Sequence, residues 1–130
     1  MAEDNPGDVL LVQKALQKHR IRHQLHLVRD GAEALEWIAH TGEPGGTPQP
    51  DLLLLDLNLP KVDGRQILGE LRRHHDCAEV PVIVVTSSDA PKDRERAAEL
   101  GISRYFRKPM DFDAFLKLGA VVRDVLSYVT

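Results

Sequence analysis

Apolar residues recur at spacings of three and four between Pro6 and His19, where Val9, Val12 and Leu16 are joined by Leu11 and Ala15. That period predicts an amphipathic helix with one broad buried face. Asn5 suits its N-cap, and Pro6 suits the first helical position, where a missing N–H costs nothing. The alternation Leu25-His26-Leu27-Val28 then fits a strand, closed by Asp30-Gly31. From Ala32 to Ile38 the helical spacing returns, with Trp37 on the core side. Thr41 to Pro50 carries three glycines and three prolines and is predicted to be a surface loop.

Leu52-Leu53-Leu54-Leu55 does not alternate, which is the pattern of a strand covered by helices on both faces. Asp63-Gly64 opens a further helix with Ile67, Leu68 and Leu71 inward, and Val80 to Val85 is a second fully apolar strand. A helix from Pro91 to Gly101 follows, then a short strand at Tyr105-Phe106. Asp111 to Tyr128 completes the chain as one long helix, its stripe formed by Phe115, Leu118, Val122, Val125 and Val129. Strands and helices that alternate in this way predict a doubly wound α/β fold, with ligands beyond the carboxyl ends of the strands.

Length and charge narrow the picture. A chain of 130 residues is expected to be one domain, 1–130, without an output domain. Its net charge of -3 is unsuited to neutralising phosphates, so nucleic acid is not expected as a direct partner. The single cysteine, Cys77, has no partner for a disulfide, and no apolar run approaches the ~18 residues of a membrane span. A cytoplasmic protein is expected.

With the strands so placed, Asp56, Thr86 and Lys108 each fall at a strand's carboxyl end, and Glu3-Asp4 precedes the first helix. Crowded carboxylates repel one another and require a compensating cation, and hard oxygen ligands favour Mg²⁺. An ionised Asp56 is also a nucleophile able to form an acyl phosphate. Lys108 offers a compact positive charge to a phosphoryl oxygen, and the Thr86 hydroxyl can donate to another.

Glu3-Asp4, Leu55-Asp56-Leu57-Asn58-Leu59-Pro60 with Asp63-Gly64, Val85-Thr86-Ser87 and Lys108-Pro109 together resemble the receiver domain of two-component response regulators, over nearly the whole chain. The resemblance implies a flavodoxin-like sheet of nominal order 2-1-3-4-5 and a phosphoacceptor at Asp56. It also implies Mg²⁺ held by Glu3, Asp4, Asp56 and the backbone carbonyl of Asn58, and a cis Lys108–Pro109 bond. Thr86 and Tyr105 would form the switch, Tyr105 turning inward behind Thr86, with Phe106 packed on the opposite face. The family signals rather than turning over substrate. Glu-Asp-Asn-Pro-Gly-Asp, the long loop before Pro50-Asp51, Asn58-Leu59-Pro60-Lys61 and Thr86-Ser87-Ser88 are most similar to regulators paired with bacterial phytochromes, implying a light-sensing histidine kinase as phosphodonor.

Other readings are set against this one. An aspartyl-nucleophile phosphatase wants a second Asp where Asn58 stands, and the acidic Glu3-Asp4 loop would repel a flavin phosphate. A pseudo-receiver would keep the fold without phosphotransfer. Neither His19 with His23 nor His74-His75 is expected near Asp56. The final helix also carries Leu116, Val121 and Leu126, a wide apolar arc that suggests a homodimer.

Only Met1-Ala2 precede Glu3, where the receiver fold places a central strand of about five residues. Two neighbouring strands would then lack ladder partners, at ~1–3 kcal/mol for each buried unpaired group. Upstream residues, appended residues or a strand from a second chain are the candidates to fill the gap. Displacement of Glu3 and Asp4 is the expected consequence.

Overall fold

The computed structural model describes residues 1–127. Its elements run α1 (Pro6–Lys18), α2 (Gly31–Ala39), β1 (Leu53–Leu55), α3 (Gly64–Arg73), β2 (Val82–Thr86), α4 (Pro91–Glu99), β3 (Arg104–Arg107), α5 (Phe112–Phe115) and α6 (Leu118–Ser127). The starts follow local chemistry. Asn5 Oδ1 accepts from the N–H groups of Gly7 and Asp8, Asp30 caps α2 through Glu33 N–H, and Asp63 caps α3 through Arg65 N–H.

Strands β1, β2 and β3 pair in parallel in that order. All five residues of β2 are buried, and their period of two divides them between the faces. Val82 and Val84 join Ile67, Leu68 and Leu71 of α3, while Ile83 and Val85 join Val12 and Leu16 of α1 and Val122 of α6. Burial on both sides is why neither apolar strand alternates in sequence. Tyr105 belongs to the first face and Phe106 to the second, where it meets Phe115 edge-on at 5.9 Å between ring centroids.

Ala2 makes single parallel bridges to Val28 and Leu55. These give the expected flavodoxin-like order, with the first strand reduced to the width of one residue. Ala2 N–H donates to Leu54 O (2.8 Å), Asp56 N–H to Ala2 O (3.1 Å) and Glu3 N–H to Val28 O (3.0 Å). The segment expected as a strand at Leu25–Val28 therefore bridges the sheet at Val28, with His26 O accepting from the Met1 amino group, because Met1–Glu3 offers it so short a partner. Beyond Met1 lies an apolar groove of about 630 Å³, bordered by residues 21–26 and 50–54 and floored by Leu16, Ile67, Leu71 and Val122. Leu53 N–H donates toward β2, to Pro81 O, so the alternation of a parallel ladder turns Leu54 N–H into this groove. Trp37, expected on a packed core side, is half-buried at the groove with its ring tilted against His26 at 5.1 Å.

The helix expected from Asp111 to Tyr128 is broken after Phe115. Gly119 lies so close to α1 that a Cβ would stand 2.4 Å from Ala15 O. The chain tightens to i→i+3 bonds there, with Lys117 N–H on Ala114 O and Gly119 N–H on Leu116 O. Leu116 is buried in the chain's own core, with Val121 and Leu126 packed partly against it. The wide apolar arc is thus used largely within the monomer. Tyr128 and Val129 lie outside the described residues.

Extending the amino end by five apolar residues in this register is expected to raise the melting temperature, at about 4 °C or less per kcal/mol gained. The control is a polar extension of equal length. Equal midpoints would show that the groove needs no strand.

Candidate phosphoacceptor and metal site

The acidic residues, Thr86 and Lys108 expected from the sequence lie at the carboxyl edge of the sheet, while Tyr105 stands within β3. Asp56 follows β1, Thr86 ends β2, Lys108 follows β3, and Glu3 follows the Ala2 bridge. Gly64 lets α3 start close by: a Cβ there would come within 2.5 Å of Leu57 Cα and 2.9 Å of Asp56 O. Its N–H donates to Leu57 O at 3.0 Å, which holds the loop bearing Asp56 against the head of α3.

Lys108 Nζ is the centre of the site. It lies 2.7 Å from Glu3 Oε1, 2.8 Å from Asp8 Oδ2 and 3.0 Å from Asp56 Oδ2. Its side chain is only 12% exposed, Glu3 is 1% exposed and Asp56 is 6% exposed. Burial disfavours the ammonium form, but the contacts to Asp8, Glu3 and Asp56 outweigh it and hold the Lys108 pKa above its ordinary value. Glu3 is pushed up to about 7, first by burial and then by the neighbouring Asp56, against the pull of Lys108.

Glu3 also shows what the site lacks. Its Oε2 accepts from the N–H groups of Asp4 (3.1 Å) and Asn5 (3.2 Å). Its Oε1 touches the ammonium only off the hydrogen-bond direction, leaving a buried oxygen without a hydrogen-bond partner. Glu3, Asp4 and Asp56 each offer an oxygen, all within 4.8 Å of one another. An orphaned buried carboxylate oxygen in an all-oxygen cluster fits a hard divalent cation. The expected displacement of Glu3 is therefore not found, since the three bonds of Ala2 and Glu3 to the sheet anchor the loop; Asp4 is exposed beside it.

Asn58 N–H donates to Asp56 Oδ1 at 3.0 Å, and its side chain donates to Thr86 Oγ1 at 3.4 Å. Thr86 is fully buried, and its hydroxyl also accepts from Ser88 N–H at 3.3 Å. The expected cis Lys108–Pro109 bond is not present: the described residues contain no cis peptide bond. The ammonium reaches the pocket all the same, because Lys108 N–H donates to Thr86 O (2.8 Å) and carries the ladder one residue past β3.

Tyr105 is half-buried, its hydroxyl donating to Ser88 O at 2.8 Å and its ring covered by the Arg94 guanidinium at 4.4 Å. The same loop is tied down by Ser88 Oγ donating to Asp93 Oδ2 at 2.5 Å, and Asp93 pairs with Arg65 at the head of α3. The sequence reading assigned no role to Asp93 or Arg65, and Asp8 and Ser88 entered it only as part of motifs. Asp8 alone left a signal, standing one helical turn after Asp4. His74 and His75 stack at the far end of α3, about 15 Å of helix from its head at 1.5 Å per residue.

Between its ordinary value of 4.5 and about 7, Glu3 binds a proton more tightly in the folded chain than in the unfolded one. Metal-free stability from this group is therefore full below that window and lost as pH rises through it. Thermal melts of the parent are expected to show this decline and Glu3→Gln to flatten it; an unchanged slope in the variant would assign the decline elsewhere.

Residues 1–119 match the response regulator receiver domain. Response regulator Rcp1 of Synechocystis sp. is 37% identical over 118 residues, which cover 91% of this chain and 80% of that protein. The crystal structure of its Mn²⁺-bound form superposes with a TM-score of 0.87 at 36% identity, covering 99% of this chain and 94% of that one. The phosphorylated cyanobacterial phytochrome response regulator RcpA gives a TM-score of 0.86 at 32% identity, covering 99% and 92%. A receiver domain from a Pseudomonas aeruginosa sensor histidine kinase, solved with magnesium in its active site cleft, gives 0.71 at 25% identity, covering 98% and 91%. With Asp56, Thr86 and Lys108 gathered at the carboxyl edge of a parallel sheet and the receiver match spanning nearly all of it, this chain belongs to the response regulator receiver family.

Proposed function

We propose that this chain is a single-domain response regulator that takes a phosphoryl group on Asp56 from a histidine kinase and signals by phosphorylation-dependent contact with other proteins. The observation that carries the reading is the Lys108 ammonium on Asp56 Oδ2, with Asn58 N–H on Oδ1. In the transfer, a carboxylate oxygen of Asp56 forms a bond to phosphorus while the bond from phosphorus to the kinase histidine nitrogen breaks, its electron pair returning to the imidazole. Glu3, Asp4, Asp56 and the Asn58 carbonyl would hold a Mg²⁺ ion, which would supply charge neutralisation for the incoming phosphoryl group. Lys108 then faces a phosphoryl oxygen, and the Thr86 hydroxyl, turning from Ser88 N–H, donates to another. Loss of that bond loosens the 87–90 loop on which the Tyr105 hydroxyl rests, and this couples the acceptor to the face of α4 and β3.

A phytochrome kinase is the donor favoured by the similarity to Rcp1 and RcpA, and a cytoplasmic setting accords with a chain in which no described helix is long and apolar enough to cross a membrane. Pairing through the last helix is the mode of self-association we favour, using what Val121 and Leu126 leave exposed. The pseudo-receiver reading is disfavoured by the complete set of Asp56, Thr86 and Lys108, and phosphatase turnover by Asn58 where a second acid would act.

Incubation with acetyl phosphate and Mg²⁺, followed by intact-mass measurement, is expected to add one phosphoryl group to the parent and none to a folded Asp56→Asn variant. Equal mass gain in both would refute the acceptor assignment. Asp4→Ala is expected to weaken Mg²⁺ binding by about tenfold, at the ~1.4 kcal/mol that a tenfold change represents. Equal affinities would remove Asp4 from the cation set.

A further inference from the structure

The Lys108 ammonium is held by one carboxylate that the cation set does not contain. Glu3 and Asp56 belong to the cluster whose oxygens can meet at one ion, whereas Asp8 does not. Asp8 comes from the first turn of α1, where its own N–H is fixed on Asn5 Oδ1 at 3.2 Å, and its Oδ2 lies 2.8 Å from Lys108 Nζ. Its side chain is 21% exposed, against 1% for Glu3.

An ammonium and a divalent cation compete for the same oxygens. Whatever charge Glu3 and Asp56 give to a cation is withdrawn from Lys108, which is nearly buried and must keep a counter-charge. Four flexible methylenes would otherwise let the ammonium swing out to solvent. Asp8 is the one carboxylate around Nζ left free to keep it.

We propose that Asp8 is a positioning residue that retains the Lys108 ammonium at the pocket when Glu3 and Asp56 turn to a divalent cation. The inference rests on the cation reading above. It gives Asp8 two effects: it lowers the competition between Lys108 and the cation, and it keeps Lys108 within reach of Asp56 for the phosphoryl group. An acidic residue in a first helical turn also favours the helix dipole, but that role is indifferent to Lys108.

Calorimetric titration of Mg²⁺ into the full chain separates these roles, using the parent, Asp8→Asn, Lys108→Met and the double variant. Asp8→Asn is expected to weaken Mg²⁺ about fivefold when Lys108 is present and less than about twofold in the Lys108→Met background, a coupling of the size usual for contacting residues. Asp8→Glu is expected to recover most of the loss. The same fold-loss in both backgrounds, or none in either, would overturn the positioning role while leaving the cation reading intact. A parent that binds no Mg²⁺ would sink both. The Lys108 ammonium ¹⁵N resonance gives an answer that does not need the Lys108→Met variant to fold. In Mg²⁺-loaded protein it is expected to stay protected from solvent exchange in the parent and to lose that protection in Asp8→Asn; equal protection in both would overturn the proposal.

Discussion

One buried ammonium shared among three carboxylates is the constraint on which this site depends. Glu3, Asp8 and Asp56 come from three separate segments, and each would repel the others without Lys108 Nζ at 2.7–3.0 Å from all of them. With all three ionised, one ammonium leaves the cluster two positive charges short of neutrality. Burial, and after it the neighbouring Asp56, raises Glu3 to about 7, and its Oε1 has no hydrogen-bond partner, so the buried acids fit a further cation. The acceptor chemistry and the cation binding proposed for this pocket would thus have one electrostatic origin.

The fold delivers this arrangement with few local devices. Parallel strands end together at one edge, so residues 22 to 52 positions apart in the sequence meet there, as with Asp56, Thr86 and Lys108. Alternation within β2 and β3 turns Val84 and Tyr105 to the face covered by α3 and α4, and Ile83 and Phe106 to the face covered by α1 and α6. Thr86 and Tyr105, the proposed switch residues, consequently lie between the pocket and α4. The cap of α3 at Asp63 and the close approach at Gly64 hold the loop bearing Asp56 to α3, which the Arg65–Asp93 pair joins to α4, and Ser88 on Asp93 ties in the loop after β2.

Much of this was legible because it rests on local pattern. The unalternating runs at Leu52–Leu55 and Val80–Val85 announce strands covered on both sides, and the caps at Asn5 and Asp63 announce helix starts. The break after Phe115 was not legible, since it arises from the nearness of Gly119 to Ala15, a contact that no local period encodes. Val28 likewise keeps its place while Leu25–Leu27 do not form a regular strand, because strand formation depends on the partner's length as much as on the residues themselves. At the site, acids and the lysine could be chosen by position relative to strand ends. Asp8 belongs to a helix and enters only through the side chain of Lys108, so its place one turn after Asp4 was its only signal.

The most direct test of the account is the thermal stability of metal-free Lys108→Met against the parent at two pH values. With the ammonium gone, the buried carboxylates are uncompensated, a loss on the order of 3–5 kcal/mol for a broken buried pair. The account predicts a much lower melting temperature for the variant at pH 8 and a smaller deficit at pH 5, where Glu3 takes up a proton. Equal midpoints at pH 8, or the same deficit at both pH values, would contradict it.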